Sequence, residues 1–205
     1  ALIMGFGTRN FFRYNSNRLL GKIGTNFQVA YEHWRAKRVQ AILDHYGHSF
    51  FEGKTLLELG AGFGDIGNFF SMLGAKVTCV EGRERNAKEI VKKYESLKAI
   101  TYDLNNGLPS KQHYDVIIHF GVLYHLKNPE ISLRESCRCC NHLILETECS
   151  DSDYPHFLPT SQETSYVFDQ AIDGVGTRPS QAWIERILTE EKCTFERLFN
   201  TRLNA

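Results

Sequence analysis

With 205 residues, 42% hydrophobic and 23% charged, the chain has enough material for one full core and little for a second, which excludes disordered and collagen-like classes. Its 24 basic and 24 acidic side chains cancel, so the overall charge does not single out a nucleic-acid partner. No apolar run approaches the ~20 residues of a membrane span, and "ALIMGFGTRN" does not read as a signal peptide.

Residues 1–26 lack clean periodicity and read as an arm with one short helix. The first forty residues carry seven basic side chains (Arg9, Arg13, Arg18, Lys22, Arg35, Lys37, Arg38) against Glu32 alone. The arm is expected to dock on the acidic remainder or on a neighbouring domain, with contact to a phosphate of RNA or of a phosphorylated acceptor as the alternative. Phe27, Tyr31, Trp34, Ala41, Ile42 and Tyr46 fall near helical spacing, and Gly47 is a stop signal. From there apolar runs alternate with amphipathic stretches. Strands are expected at 54–59, 75–81, 98–103, 114–120 and 142–148, with helices at about 65–73, 84–95 and 129–138 between them. Beyond Glu148 come an irregular acidic stretch, a helix over 179–191 and a last strand, "TFERLFN". Strands apolar on both faces and alternating with helices imply an α/β fold with a doubly wound, mostly parallel sheet. The expected organisation is an arm and helix over 1–48 and one compact domain over 49–205. Position 1 is not Met, so the domain is expected to be excised from a longer protein.

Six cysteines, at 79, 137, 139, 140, 149 and 193, read as reduced structural thiols. The core is ample, and no second pair stands at zinc-site spacing from Cys137–Cys140. A cytoplasmic location is expected on that ground.

In an open parallel sheet, ligands bind beyond the carboxyl ends of the strands, so the strand ends carry the information. The first ends in "LLELGAGFGDIG", residues 56–67. Gly62, Gly64 and Gly67 spell the G-x-G-x-x-G of a dinucleotide site, while Glu58, Gly60, Gly62 and Gly64 spell E-x-G-x-G-x-G. The second strand ends in Glu81, the third in Asp103 and Leu104, and the fourth in "HFGVLYHL", residues 119–126. The P-loop G-K-[ST] is absent.

Over about residues 50–150 these strand ends resemble the class I S-adenosylmethionine (SAM) dependent methyltransferases, a Rossmann-like family. The resemblance implies that Glu58, Gly60, Ala61, Gly62 and Gly64 contact the amino-acid part of SAM. It places Glu81 and Gly82 at the ribose, Asp103 and Leu104 at the adenine, and Phe120 and Gly121 beside the methyl group. SAM would be the methyl donor and S-adenosylhomocysteine (SAH) the product. The dinucleotide reading leaves Asp103 and "GVLYHL" without a role.

If the acceptor is a hydroxyl, a general base helps, and His125 is the best-placed candidate, with Tyr124 beside it. Glu146 and Glu148, leaving the fifth strand, and Asp151, Asp153 and His156 after them are candidate acceptor ligands; whether they hold a divalent metal is left open. "GTRPSQAWIERIL", residues 176–188, is similar to a segment of methyltransferases acting on tRNA wobble uridines and of others attached to glycan-building enzymes. Arg178 is a candidate for an anionic acceptor, and Ser180 for a helix cap. The family's sheet normally closes with an antiparallel hairpin. Here "TFERLFN" is the only clear late strand, so the last strand is expected to lie within 150–175 or to be missing. The resulting expectation is methyl transfer to a hydroxyl of a sugar, glycan or small metabolite. RNA methylation and SAM binding without turnover are the alternatives.

Overall fold

A computed structural model describes residues 2–6 and 26–198. Strands that are apolar on both faces need cover on both, and the alternating helices supply it. In chain order the elements are β1 (Leu2–Phe6), α1 (Asn26–Tyr46), β2 (Thr55–Leu59), α2 (Asp65–Met72), β3 (Lys76–Glu81), α3 (Glu84–Lys93) and β4 (Lys98–Thr101). There follow β5 (Tyr114–Phe120), α4 (Pro129–Arg138), β6 (Cys140–Glu148), β7 (Thr160–Gln162), β8 (Val175–Thr177), α5 (Gln181–Glu190) and β9 (Glu196–Arg197).

Seven strands form one sheet in the order β4-β3-β2-β5-β6-β1-β9, each neighbouring pair parallel. The period of two explains the double cover: Ile118 packs with Ile42, Phe51 and Phe70 on one face, and Ile117 with Leu133, Trp183 and Ile184 on the other. From β2 the chain winds outward one way through β3 and β4, and the other way through β5 and β6. The crevice between the carboxyl ends of β2 and β5 is therefore the switch point.

Two expectations change at the far edge. Leu2–Phe6, read as part of an arm, form β1 and pair with Ile144–Glu148 of β6. A five-residue apolar run is long enough for a buried strand but too short to show a period. The rest of the expected arm, residues 7–25, lies outside the described residues. In place of the family's closing hairpin, the described strands at this edge are β1 and then β9, which pairs in parallel with Leu2 and Ile3. Strands do occur within 160–177, but β7 and β8 pair only with each other, as a separate antiparallel ribbon. Of the predicted last strand, only Glu196–Arg197 form ladder pairs, and Phe199 and Asn200 lie outside the described residues.

Candidate functional site

The glycines after β2 divide by geometry. Gly60, Gly62 and Gly64 have φ of 67°, 59° and 77°, in the left-handed region that side chains disfavour. A Cβ on Gly60 would also lie 2.6 Å from Val122 Cβ, so the loop passes against the start of the segment after β5. Gly67 does something else. A Cβ there would lie 2.5 Å from Glu58 Oε2 and 2.9 Å from Cys79 Sγ, so Gly67 lets α2 sit down on the sheet. This places Glu58, expected at the ligand, beneath α2 instead: it is 3% exposed and accepts from the Cys79 thiol at 3.3 Å. Burial pushes that thiol far up. Ala61 and Gly64 also stand behind the loop. Ala61 N–H is bonded to Val80 O at 3.0 Å, and Gly64 caps α2 against Ile90.

In front of the loop lies a cleft enclosing about 980 Å³, open solvent at its mouth included. Its walls bring together Gly60, Gly62, Glu81, Gly82, Asp103, Leu104, Phe120, Gly121, Tyr124 and His125, all expected from sequence. The Glu81 carboxylate, at the end of β3, accepts from Gly62 N–H at 2.9 Å and Arg83 N–H at 3.0 Å. Burial raises its pKa above the ordinary carboxylate range, although these two bonds pull the other way. Asp103 accepts from the backbone and side-chain N–H groups of Asn105, both at 2.9 Å and both on Oδ1.

The opposite wall contains a residue that sequence reasoning missed. Arg38, from α1, lines the cleft, and its guanidinium would lie 3.3 Å from a Cβ on Gly121. Glu146 of β6, 0% exposed, holds it at 2.9 Å. Glu146 was expected to meet an acceptor, yet its carboxylate is spent on Arg38 behind the wall. Burial pushes its pKa up to about 7, against the pull of Arg38. One signal was present: Arg38 is four residues before Ile42, so a charge occupies the buried stripe of the helix.

His125 ends the short 3-10 turn Leu123–His125 after β5, and its ring lies 4.1 Å from that of Tyr124. Its Nδ1 is 2.6 Å from Glu163 Oε2. With the carboxylate ionised, Nδ1 carries the proton and Nε2 is the acceptor, a tautomer assigned from this bond. Glu163, the second missed residue, immediately follows β7. Burial alone would raise its pKa, but the bonds from His125 and Ala171 N–H and the charge of Arg178 bring it below the usual range. The segment from Glu163 to Gly174, between β7 and β8, folds over the cleft as a lid, with Phe168–Ile172 among the lining residues. Arg83 Nη2 donates to Val167 O at 3.0 Å and Gln170 O at 2.9 Å, and the Phe168 ring lies 5.6 Å from that of Phe63.

The remaining expected acceptor ligands do not line the cleft. Arg178 lies 3.2 Å from both Glu148 and Glu163 and donates to Tyr124 O at 3.0 Å, and its guanidinium covers the Tyr124 ring. Arg178 and Glu148 thus brace the site from outside. Asp151, Asp153 and His156 are exposed. The chain turns away after β6: Ser150 bridges Ser180 and its N–H bonds Pro179 O, which lays this stretch along the start of α5. Ser180 caps that helix, accepting from Trp183 N–H at 2.9 Å. Among the described residues no three metal-ligating side chains cluster, and no helix is long and apolar enough to cross a membrane.

A family model described as a methyltransferase domain matches residues 31–188. The ubiquinone biosynthesis O-methyltransferase of Maricaulis maris (strain MCS10) is 29% identical over 106 residues, 47% of this chain and 41% of that protein. The chain thus spans about two fifths of that relative's length. Among solved structures, the N-terminal domain of EvdMO1 with SAH bound superposes with a TM-score of 0.61 at 19% identity, over 77% of this chain and 70% of that one. Magnesium protoporphyrin IX methyltransferase from Synechocystis PCC 6803, with SAM bound, gives 0.53 at 16% identity, over 78% and 67%. At such identities the structural likeness speaks for the fold.

Proposed function

The chain belongs to the class I SAM-dependent methyltransferases and its cofactor is SAM; from this we propose that it methylates a hydroxyl of a small acceptor, a sugar or another small metabolite, with His125 as general base. The residues lining the cleft fit the cofactor. Gly60 and Gly62 leave room for close approach by its amino-acid part, and the Arg38 cation suits its carboxylate. Glu81 presents a buried carboxylate suited to a ribose diol, and Asp103 an acceptor for an exocyclic amine, with Leu104 to pack on the base. Bound SAM supplies an electrophilic methyl group on a sulfonium centre.

The chain's own residues then have two tasks. The first is to hold an acceptor oxygen in line behind the methyl group, where orientation supplies much of the rate. The walls at Phe120–Val122 and Tyr124, with the lid above, bound the space for it. The second is to take the hydroxyl proton. His125 suits this because its Nδ1 is committed to Glu163, which leaves Nε2 as the acceptor edge of a ring that lines the cleft. The 2.6 Å bond is the observation that carries the hydroxyl reading. The 29% relative, itself an O-methyltransferase, agrees with it. The exposed stretch Asp151–His156 adds no support for a sugar in particular.

The test incubates the chain with SAM and a panel of sugars, phenols and polyols while SAH release is followed. Turnover is expected with at least one hydroxyl compound. His125→Ala should bind SAH as the parent does and lose about 100-fold or more in turnover, the usual share of a general base. Parental turnover in the variant would remove His125 as the base. SAH binding without release against any hydroxyl would overturn the reading in favour of a binding module.

A further inference from the structure

A single carboxylate joins the base to the lid. Glu163 Oε2 receives two bonds, from His125 Nδ1 at 2.6 Å and from Ala171 N–H at 2.7 Å. Its Oε1 receives Arg178 Nη1 at 3.2 Å, and its own N–H donates to Gly174 O at 2.7 Å. The side chain is 3% exposed, so the lid itself shields these bonds from water. On its other flank the lid is held by Arg83, whose backbone N–H is bonded to Glu81. It is also seated on the cleft: Ile172 Cδ1 occupies the place where a Cβ on Gly82 would be, 2.1 Å away. A ligand entering toward the end of β3 must therefore lift the lid, and until the lid closes again over it Ala171 N–H is withdrawn, one of the two donors on the oxygen that orients His125.

We propose that Glu163 is a positioning residue that couples lid closure to the orientation and tautomer of His125. With the lid down, Oε2 holds the Nδ1 proton and turns Nε2 into the cleft. With the lid raised, the carboxylate loses Ala171 N–H and its shelter from water, and the imidazole is released to both tautomers. The base is then in its working form only when the cleft is closed. This rests on the reading of His125 as general base, but its test uses neither an acceptor nor turnover.

The probe is SAH, and the readouts are the imidazole nitrogen spectrum of the full chain with labelled histidine, assigned by His125→Gln, and hydrogen exchange at Ala171 N–H. The parent with SAH should show His125 held as the Nδ1–H tautomer and a protected Ala171 amide. Glu163→Gln offers an amide N–H to Nδ1 and should bring in the Nε2–H form, as expected when an orienting carboxylate becomes an amide. An unchanged tautomer in that variant overturns the positioning role. Arg83→Ala, which frees the far flank without touching His125, tests the coupling. Ala171 exchange should rise about tenfold or more, the effect on local opening of losing the two hydrogen bonds that Arg83 makes to the lid, and the His125 tautomer should become mixed with it. Faster exchange with an unmoved tautomer would overturn the coupling. Failure of the general-base reading would appear instead as parental turnover in His125→Ala, with these spectra as expected.

Discussion

Replacing Glu81 by glutamine tests the assignment of the cofactor side. The carboxylate already accepts from two backbone N–H groups, Gly62 on Oε2 and Arg83 on Oε1, which fixes its plane against the cleft. A carboxylate offers about four acceptor sites, and Asn86 Nδ2 also donates to Oε1 at 3.4 Å, so the open position for a ribose hydroxyl is on Oε2. Glutamine keeps the shape and one acceptor oxygen but turns the other position into a donor and removes the charge. Hydrogen bonds to a charged acceptor contribute about 1.5–3 kcal/mol each, so losing one should weaken SAH binding by roughly 10- to 100-fold. Most of the cost of burying the carboxylate is already met in the fold, because the side chain is 7% exposed before any ligand arrives. Burial also sets the pH dependence: with its pKa raised, Glu81 takes up its proton at a higher pH than an ordinary carboxylate, and the protonated form accepts poorly. SAH affinity should therefore rise with pH in the parent as the carboxylate ionises, over a range displaced upward from that of an ordinary Glu. The rise should be smaller in Glu81→Gln. Calorimetric titration with SAH at pH 5 and 8 reads both effects. An affinity for the variant within twofold of the parent at pH 8 would refute the ribose assignment.

Gly60→Ala places a Cβ 2.6 Å from Val122 Cβ at a φ of 67°, and Gly53→Ala is its control, with φ 72° and nothing within 4 Å. Both should lose about 1 kcal/mol to backbone strain, and Gly60→Ala a further 1–3 kcal/mol to the clash, read by urea unfolding; equal losses would mean that the loop is free to move away from Val122. Glu146 should make stability fall as pH rises. Its folded pKa, about 7, exceeds the ordinary value, so the contribution is full below pH ~4.5 and lost through 7, by roughly 3 kcal/mol. In Glu146→Gln that part of the slope between pH 5 and 8 should vanish. Arg38→Met should weaken SAH binding about tenfold if the guanidinium meets the cofactor's carboxylate. In Arg38→Met/Glu146→Leu, which leaves no buried charge unpaired, the binding loss should persist while stability recovers; recovery of both would make Arg38 a structural residue.

The legible part of this site is the part that a parallel sheet dictates. Once β2 to β5 are found as apolar runs, topology requires that Gly60, Glu81, Asp103 and Gly121 converge, since each ends a strand on the same edge. Periodicity locates strands, and strand ends locate the cleft. Arg38 and Glu163 lie on no strand end of the sheet. Arg38 reaches the cleft because α1 packs its Ile42 stripe on the sheet, which sets a charge against Glu146. Glu163 reaches it because a three-residue ribbon, β7 with β8, folds an aperiodic segment back over the opening. Such short pairings have no period to detect.

The same contrast explains why the acidic stretch misled. Glu146 and Glu148 do leave a strand end, but one strand further from the switch point, where Arg38 and Arg178 take up their charge. Position along the sheet, and not acidity, decides which carboxylate faces the cleft: Glu81 stands next to β2 and lines it, while Glu146 stands beyond β5 and faces a protein cation. By that rule Glu163 would have no place in the site. It gains one only through the lid, so the strand-end side of this cleft is written in the sheet and the orientation of His125 in a segment that folds over it.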